Sequence, residues 1–145
     1  DYTVLFLQGG ASLQFYMTAI NILNQGENAD YIVTGGWAQK ALKEAARVGD
    51  ATAIWDDAKN GFKSVPSDGD YTVREDAAYV HYTSNNTLYG TQYHHLPDSG
   101  GKPRILDASS DIAGVPIYVG APEIIYAGAT KNSGPSGVTS VLHTP

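Results

Sequence analysis

A lysine and an aspartate stand out in this sequence as side chains able to do chemistry. Lys131 is the only lysine after Lys102 and lies among small residues on a predicted turn between two strands. Its amine can form a Schiff base with a carbonyl compound, although most lysines on such loops are solvated surface residues. Asp107 ends the short strand predicted at 104–106. An acid there can hold a cationic ring nitrogen or a metal, and a helix N-cap or turn is its more ordinary use.

Two polar runs offer possible ligand contacts, each directly after a predicted strand. Residues 8–12 read Gln-Gly-Gly-Ala-Ser and precede a predicted helix. Small residues let a ligand approach the backbone, and the free N–H groups at a helix start favour a phosphate. Residues 82–90 supply hydroxyl and amide groups that can face a ligand. An ordinary glycine turn and a solvated, asparagine-rich loop are the competing interpretations.

The elements that position these residues alternate between short strands and helices. Helices are predicted at 11–23 and 37–48. In the first, apolar residues recur at helical spacing: Leu13, Met17, Ile20 and Leu23. Apolar runs predict a buried strand at 4–7 and further strands at 31–34, 51–55, 77–82, 104–106, 124–126 and 138–142.

This alternation predicts an α/β fold with a mostly parallel sheet that is covered on both faces. Ligands bind beyond the carboxyl ends of the strands in such sheets, and the polar motifs follow strands. The polar, turn-rich residues 56–70 are expected to be exposed.

The composition limits the possible functions. The chain of 145 residues has a net charge of −6, which suits one globular domain and argues against nucleic acid or an anionic membrane as a partner. The absence of cysteine excludes a disulfide scaffold, a thiolate metal site and cysteine catalysis. The four histidines lack metal-ligand spacing, so no metal site is predicted. No stretch reads as a membrane span or a secretory signal.

Five motifs occur in an order that carries a family resemblance. They are GGASLQF from Gly9, TGGWA from Thr34, HYTSNNTLYG from His81, DASSDI from Asp107 and YAGATKNSGP from Tyr126. Together they resemble the phosphoserine aminotransferases, which are class V aminotransferases of pyridoxal-phosphate fold type I. The resemblance implies a three-layer α/β/α fold like the large domain of aspartate aminotransferase. Residues 1–145 are then expected to form its cofactor-binding core, with the family's N-terminal segment and C-terminal small domain outside this chain.

The resemblance also implies roles for individual residues. Lys131 matches the catalytic lysine that carries pyridoxal 5'-phosphate, and Asp107 matches the acid that pairs with the pyridine nitrogen. The other implied cofactor contacts are Trp37 stacked on the ring, Gly10, Ala11 and Ser12 around the phosphate, Thr87 near the phenolic oxygen, Ser109 as a neighbouring polar contact, and Thr130. The family usually has glutamine where Thr130 stands, so the shorter side chain can lose a phosphate contact.

The implied activity is amino transfer from glutamate to 3-phosphohydroxypyruvate, which gives O-phosphoserine and 2-oxoglutarate in serine biosynthesis. The resemblance further implies a cytoplasmic homodimer. Two alternatives remain: the chain is a non-catalytic piece of such an enzyme, or it belongs to another enzyme of the same fold type, such as a desulfurase-like enzyme or a lyase. Trp37 and the run Asn85–Thr87 argue against the second alternative.

Overall fold

The computed structural model describes residues 2–117 and 122–145, which form a seven-stranded sheet, a small hairpin and two α-helices. The helices are α1 (Gly10–Ile22) and α2 (Gly36–Ala45), and short 3₁₀ helices occur at Ala58–Asn60 and Ala129–Lys131. The strands are β1 (Thr3–Gln8), β2 (Asn28–Val33), β3 (Asp50–Asp56), β4 (Ala77–Thr83), β5 (Asn85–Asn86), β6 (Thr91–Gln92), β7 (Arg104–Asp107), β8 (Ile124–Gly128) and β9 (Val138–His143).

The sheet has the order β1-β9-β8-β7-β4-β2-β3. The strands from β8 to β3 run parallel to one another, whereas β9 is antiparallel to both β8 and β1. The predicted α/β fold with a mostly parallel sheet is therefore confirmed, as are both predicted helices. All predicted strands of the sheet are also present, within one to three residues at each end.

The two faces of the sheet are covered differently. On one face, Tyr31 and Val33 pack against Phe15 of α1 and Ala41 of α2. On the other face, Ile32, Val80 and Leu106 pack against loop residues that include Val65, Tyr71 and Val73. Among the described residues, the two α-helices thus lie on the same face, and loops rather than a second helical layer cover the other.

The predicted buried strand at 4–7 is present, but it is not buried. Within β1, Val4 is 49%, Leu5 41% and Phe6 75% exposed. The strand lies at the edge of the sheet and pairs with β9 alone, so neither of its faces is packed as a central strand would be. An apolar run records the tendency to be buried, and the position in the sheet decides whether burial occurs.

In α1, the apolar residues that recur at helical spacing likewise do not form the buried face of the helix. Leu13 is 42% and Ile20 51% exposed, whereas the buried residues are Gln14, Phe15, Thr18 and Ala19. The orientation follows from the neighbours of the helix, since α1 packs between α2 and β8 through Phe15 and Ala19.

Ordered structure occurs in two polar segments: residues 82–90, for which a solvated loop was one of two interpretations, and residues 56–70, which were expected to be exposed. The polar run after β4 folds into the β5–β6 hairpin, in which Asn86 faces Thr91 and is fully buried. Most of residues 56–70 is exposed, but Asp57 and Phe62 are buried. Asp57 accepts hydrogen bonds from the backbone N–H of Lys63 and from the Asn60 amide, so it organises this loop.

A buried ion pair ties the amino-terminal half of β2 to the segment before β4. Asp30 is fully buried, and its Oδ1 accepts a hydrogen bond of 2.5 Å from Arg74 Nε while its Oδ2 accepts one of 2.8 Å from the Arg74 backbone. The guanidinium also donates to the Ala29 carbonyl and reaches Asp50 at 3.2 Å. The pair satisfies a carboxylate that has no access to water.

Replacing Arg74 by methionine is expected to lower the free energy of unfolding by about 3 kcal/mol, because it leaves the Asp30 carboxylate buried without its cation. Arg47→Met is the matched control. Arg47 pairs with Glu44 on the surface and its side chain is 62% exposed, so its loss should cost less than about 1 kcal/mol. Denaturant titration of both variants measures the difference, and equal losses would contradict the assignment.

Candidate functional site

A cavity of about 280 Å³ opens at the carboxyl end of the parallel strands, beside the amino ends of both α-helices. The structure brings all nine residues predicted to bind a cofactor into its lining. They are Gly10, Ala11, Ser12, Trp37, Thr87, Asp107, Ser109, Thr130 and Lys131. Their contacts with a cofactor remain predictions. Their convergence follows from the topology, because β4, β7 and β8 are adjacent and parallel and end at the same edge.

Asp107 is the buried acid of this cavity. It is the last residue of β7 and is only 3% exposed. Its Oδ1 accepts hydrogen bonds from the Ser109 backbone N–H at 3.0 Å and from Ser109 Oγ at 2.6 Å. Within the part of the chain that the structure describes, Oδ2 has no hydrogen bond, and no lysine, arginine or histidine lies within ion-pair distance of the carboxylate. Burial therefore raises the pKa of Asp107 to about 6.

This shift makes the stability of the cofactor-free protein depend on pH. The pKa of Asp107 rises from 3.8 to about 6 on folding, so its contribution to stability is complete below pH 3.8 and is lost as the pH rises through 6. Asp107→Asn removes the titration and keeps the shape. The variant is expected to gain about 3 kcal/mol relative to the wild type between pH 4 and pH 7.

The measurement is the free energy of unfolding of both proteins across that pH range. Asp98→Asn is the matched control, because Asp98 is exposed and its substitution removes no buried charge. The quantity compared is the difference in unfolding free energy between variant and wild type as a function of pH. If this difference is as independent of pH for Asp107→Asn as for the control, the Asp107 carboxylate is not electrostatically isolated.

Ser109 links the acid to the segment that carries the lysine. Its hydroxyl donates to Asp107 Oδ1 and accepts the backbone N–H of Gly128 at 3.0 Å. Gly128 ends β8, and a Cβ there would lie 3.4 Å from the Ala11 nitrogen. This is an ordinary van der Waals distance, so the end of β8 packs directly against the start of α1.

Lys131 lies on the other side of the β8 end, in the 3₁₀ helix that follows the strand. It is exposed, and among the described residues it forms no ion pair. The predicted placement on a turn between two strands is confirmed, since the 3₁₀ helix connects β8 and β9. Its amine is thus available to a ligand in the cavity, as is the neighbouring Thr130.

The start of α1 supplies backbone donors. Gly9 precedes the helix with a φ of 97°, a conformation that favours glycine, and no side chain caps the first turn. The first turn also lacks acidic residues, so its N–H groups and the helix dipole are free to attract an anion. Among the described residues that line the cavity there is no arginine, and Lys131 is the only basic one. Backbone N–H groups and hydroxyls would therefore have to hold most of a phosphate.

Trp37 and Thr87 reach the cavity from α2 and from the hairpin. Trp37 is 37% exposed. One face of its ring carries the Lys40 ammonium at 4.1 Å, an arrangement that cation–π attraction favours. Thr87 lies in the turn between β5 and β6 and is exposed.

The lining contains four further residues that received no individual role from the sequence: Thr83, Asn85, Ser110 and Gly128. Thr83 and Asn85 belong to the run 82–90, which was expected to offer hydroxyl and amide groups to a ligand. Thr83 and Gly128 are the last residues of β4 and β8, so the rule that ligands bind beyond strand ends could have found them. Thr83 Oγ1 is buried and has no hydrogen-bond partner in the described structure. Ser110 donates to the Asn85 carbonyl and so fastens the hairpin to the loop after Asp107.

Below the cavity, a layer of buried aromatic residues supports the strand ends. His81 Nε2 lies 2.7 Å from the Tyr126 hydroxyl, and the imidazole stacks on Tyr31 at 4.7 Å between ring centroids. Complete burial lowers the pKa of His81 to about 3, so the ring is neutral. Burial and the charge of Asp107 raise the pKa of Tyr126 well above its usual value.

A second cavity of about 300 Å³ lies on the other face of the sheet. It is lined by residues such as Tyr93, His95, Asp111 and Ile117, and by none of the predicted cofactor residues. The residues predicted to bind a cofactor therefore all lie in the smaller cavity.

The described residues also bear on metal binding and membrane insertion. Residues 2–117 and 122–145 contain no cluster of three or more acidic or histidine side chains suited to a metal ion. Neither α-helix in these ranges has the length and hydropathy needed to cross a membrane.

Comparison with known proteins places this architecture in a family. The sequence model of the family described as aminotransferase class-V matches residues 1–144. A phosphoserine aminotransferase from Alkalihalobacillus alcalophilus is 49% identical over 98% of this chain. The structure superposes on phosphoserine aminotransferase from Bacillus circulans subsp. alkalophilus with a TM-score of 0.94 at 45% identity over 98% of this chain. It superposes on the enzyme from Trichomonas vaginalis, solved with pyridoxal phosphate bound, with a TM-score of 0.88 at 32% identity over 99% of this chain.

The matches cover most of this chain and a smaller part of the relatives. The chain spans 39% of the length of the A. alcalophilus and B. circulans proteins and 40% of the T. vaginalis protein.

Proposed function

Because the chain belongs to the class V aminotransferases, we propose that its cavity binds pyridoxal phosphate and that Lys131 and Asp107 serve an amino-transfer reaction there. One observation carries the proposal. A buried carboxylate and an amine, neither of which forms an ion pair with any residue in 2–117 or 122–145, line the same cavity between the start of α1 and the Trp37 ring.

The residues present fit this cofactor. The Asp107 carboxylate is buried and free at Oδ2, so a protonated pyridine nitrogen would supply the missing positive charge. The uncapped first turn of α1 offers N–H groups to a phosphate, and Ser12 adds a hydroxyl. When bound, the cofactor supplies an aldehyde that condenses with amines and a ring that accepts electron density.

The chain's own residues then divide the remaining work. Lys131 would hold the cofactor through its aldehyde, and its Nζ, when free, would be placed to take a proton from the substrate Cα. Asp107 keeps the ring nitrogen protonated, because a carboxylate at that position pairs with the cationic form. Trp37 covers one face of the ring and excludes water.

We further propose glutamate and 3-phosphohydroxypyruvate as the substrates, with O-phosphoserine and 2-oxoglutarate as products. The support is the name phosphoserine aminotransferase on relatives 49% identical over 98% of this chain. Serine biosynthesis, cytoplasmic location and a homodimer are the corresponding expectations for the intact protein, and residues 1–145 would form its cofactor-binding core.

An amino-transfer assay with the intact protein tests the substrates. Glutamate with 3-phosphohydroxypyruvate should give 2-oxoglutarate much faster than glutamate with unphosphorylated hydroxypyruvate or glyoxylate. Equal rates with the three acceptors would overturn the substrate assignment and leave the cofactor site standing.

A second candidate is that these residues bind the cofactor but turn over substrate only together with further polypeptide. The exposed apolar side chains of β1, with Phe6 75% exposed, favour this candidate, because such surfaces are usually covered by protein. It predicts a cofactor adduct on the isolated 145-residue chain without turnover, whereas turnover by the isolated chain would exclude it.

A further inference from the structure

The β5–β6 hairpin docks on the turn that starts α2 through one buried amide. Asn86 is fully buried, and its Nδ2 donates a hydrogen bond of 2.8 Å to Thr34 Oγ1. Thr91, opposite Asn86 in the hairpin, donates from its hydroxyl to the Thr34 carbonyl at 2.7 Å. Thr34 is itself fully buried, and the hairpin binds it through two hydrogen bonds, one to its side chain and one to its carbonyl.

The fit between the hairpin and the turn is close enough to require glycine at position 35. A Cβ on Gly35 would lie 2.5 Å from the Asn86 Cβ and 2.6 Å from its Oδ1. The backbone of Gly35 is extended, with a φ of 171°, so its conformation does not demand glycine. The reason for glycine here is the approach of Asn86.

The two segments joined in this way each carry one wall residue of the cavity. Thr87 follows Asn86 directly, and Trp37 is the second residue of α2, two positions after Gly35. Asn86 itself does not line the cavity. Tyr89 adds to the same junction, since a Cβ on Gly36 would meet its ring at 3.6 Å.

We propose that Asn86 is a positioning residue that sets Trp37 and Thr87 at fixed places in the cavity wall. The role in cofactor binding rests on the proposed function, whereas the effect on Trp37 does not. Without the amide, the hairpin loses one of its two hydrogen bonds to Thr34, and the start of α2 gains freedom to shift. The distance between the Trp37 ring and the Thr87 hydroxyl is then no longer fixed.

The effect on Trp37 can be measured in the cofactor-free intact protein. Labelling with 5-fluorotryptophan gives a fluorine resonance for Trp37, which is assigned by its loss in Trp37→Phe. Asn86→Ala and Thr34→Val each remove one partner of the hydrogen bond between the Asn86 amide and the Thr34 hydroxyl. Both substitutions should shift or broaden this resonance. Tyr79→Phe is the matched control, since it removes a buried hydrogen bond of 2.8 Å to Tyr31 and neither residue lines the cavity. The proposal would be overturned if the Trp37 resonance changed no more in Asn86→Ala and Thr34→Val than it does in the control.

The effect on the cofactor is measured by titration with pyridoxal phosphate. Asn86→Ala should weaken binding about tenfold, as expected for the loss of one buried hydrogen bond and its alignment, while Tyr79→Phe should change it less than about twofold. If the wild type binds no pyridoxal phosphate, the proposed function fails, and the fluorine resonance still decides the role of Asn86.

A compensating pair of substitutions provides an independent test. Gly35→Ala should displace the Trp37 resonance, because the new methyl group occupies the place of Asn86. Adding Asn86→Gly removes the clashing atoms and should return the resonance toward its position in Asn86→Gly alone. A Gly35→Ala variant with the wild-type resonance would overturn the proposal.

Discussion

Replacing Lys131 by alanine is expected to abolish amino transfer. Lys131 is the only lysine among the described residues that line the cavity, and none of the others there carries an amine that could bind the aldehyde or take the Cα proton. Loss of a general base alone costs about 10²–10⁴-fold, and loss of the covalent attachment adds to it. The rate of 2-oxoglutarate formation should fall to that of a blank without protein.

Two controls separate this chemistry from misfolding. Lys59→Ala changes an exposed lysine in the 3₁₀ helix at 58–60 and should leave the rate unchanged. Added methylamine should restore part of the Lys131→Ala activity, because a small amine can reach the exposed position of the missing side chain. Full activity in Lys131→Ala would exclude Lys131 as the catalytic lysine.

The second large effect is expected at Asp107. Asparagine cannot pair with a protonated ring nitrogen as a carboxylate does, so Asp107→Asn should lower the amino-transfer rate by about 10²–10³-fold, the size typical of one lost electrostatic contact at a reaction centre. The same substitution is expected to stabilise the cofactor-free protein above pH 6, because burial penalises the charge there. A stability gain with an activity loss identifies a charge kept for function.

The measurement is the amino-transfer rate of Asp107→Asn at saturating pyridoxal phosphate, beside its unfolding free energy at pH 7. Asp98→Asn, an exposed carboxylate, should alter neither quantity appreciably. A loss of both activity and stability would instead indicate that Asp107 is a structural residue.

The location of the site could be predicted because it depends on local signals. The polar motifs directly follow apolar runs, and parallel strands bring such positions to one edge, which placed Asp107 and Lys131 at the ends of neighbouring strands. The glycine turn before α1 was visible for the same reason. The particular roles of these residues came from the family resemblance, since each motif alone is also typical of an ordinary turn.

What the sequence did not predict depends on contacts between distant segments. The exposure of Leu13 and Ile20 in α1 depends on which neighbours the helix meets, and the spacing of apolar residues within it does not record them. Likewise, the contact of Asn86 with Gly35 joins two separate polar turns. Asparagine-rich runs occur in solvated loops and in buried junctions alike, so composition alone could not decide between a solvated loop and a ligand-facing run.

The central claim is that Lys131 carries pyridoxal phosphate in this cavity. The most direct test is an absorption spectrum of the purified protein with pyridoxal phosphate, followed by borohydride reduction and mass spectrometry of the peptides. We expect an absorption band in the visible range from the lysine-bound cofactor and a reduced adduct on Lys131. An adduct spread over exposed lysines such as Lys59, with Lys131 unmodified, would contradict it.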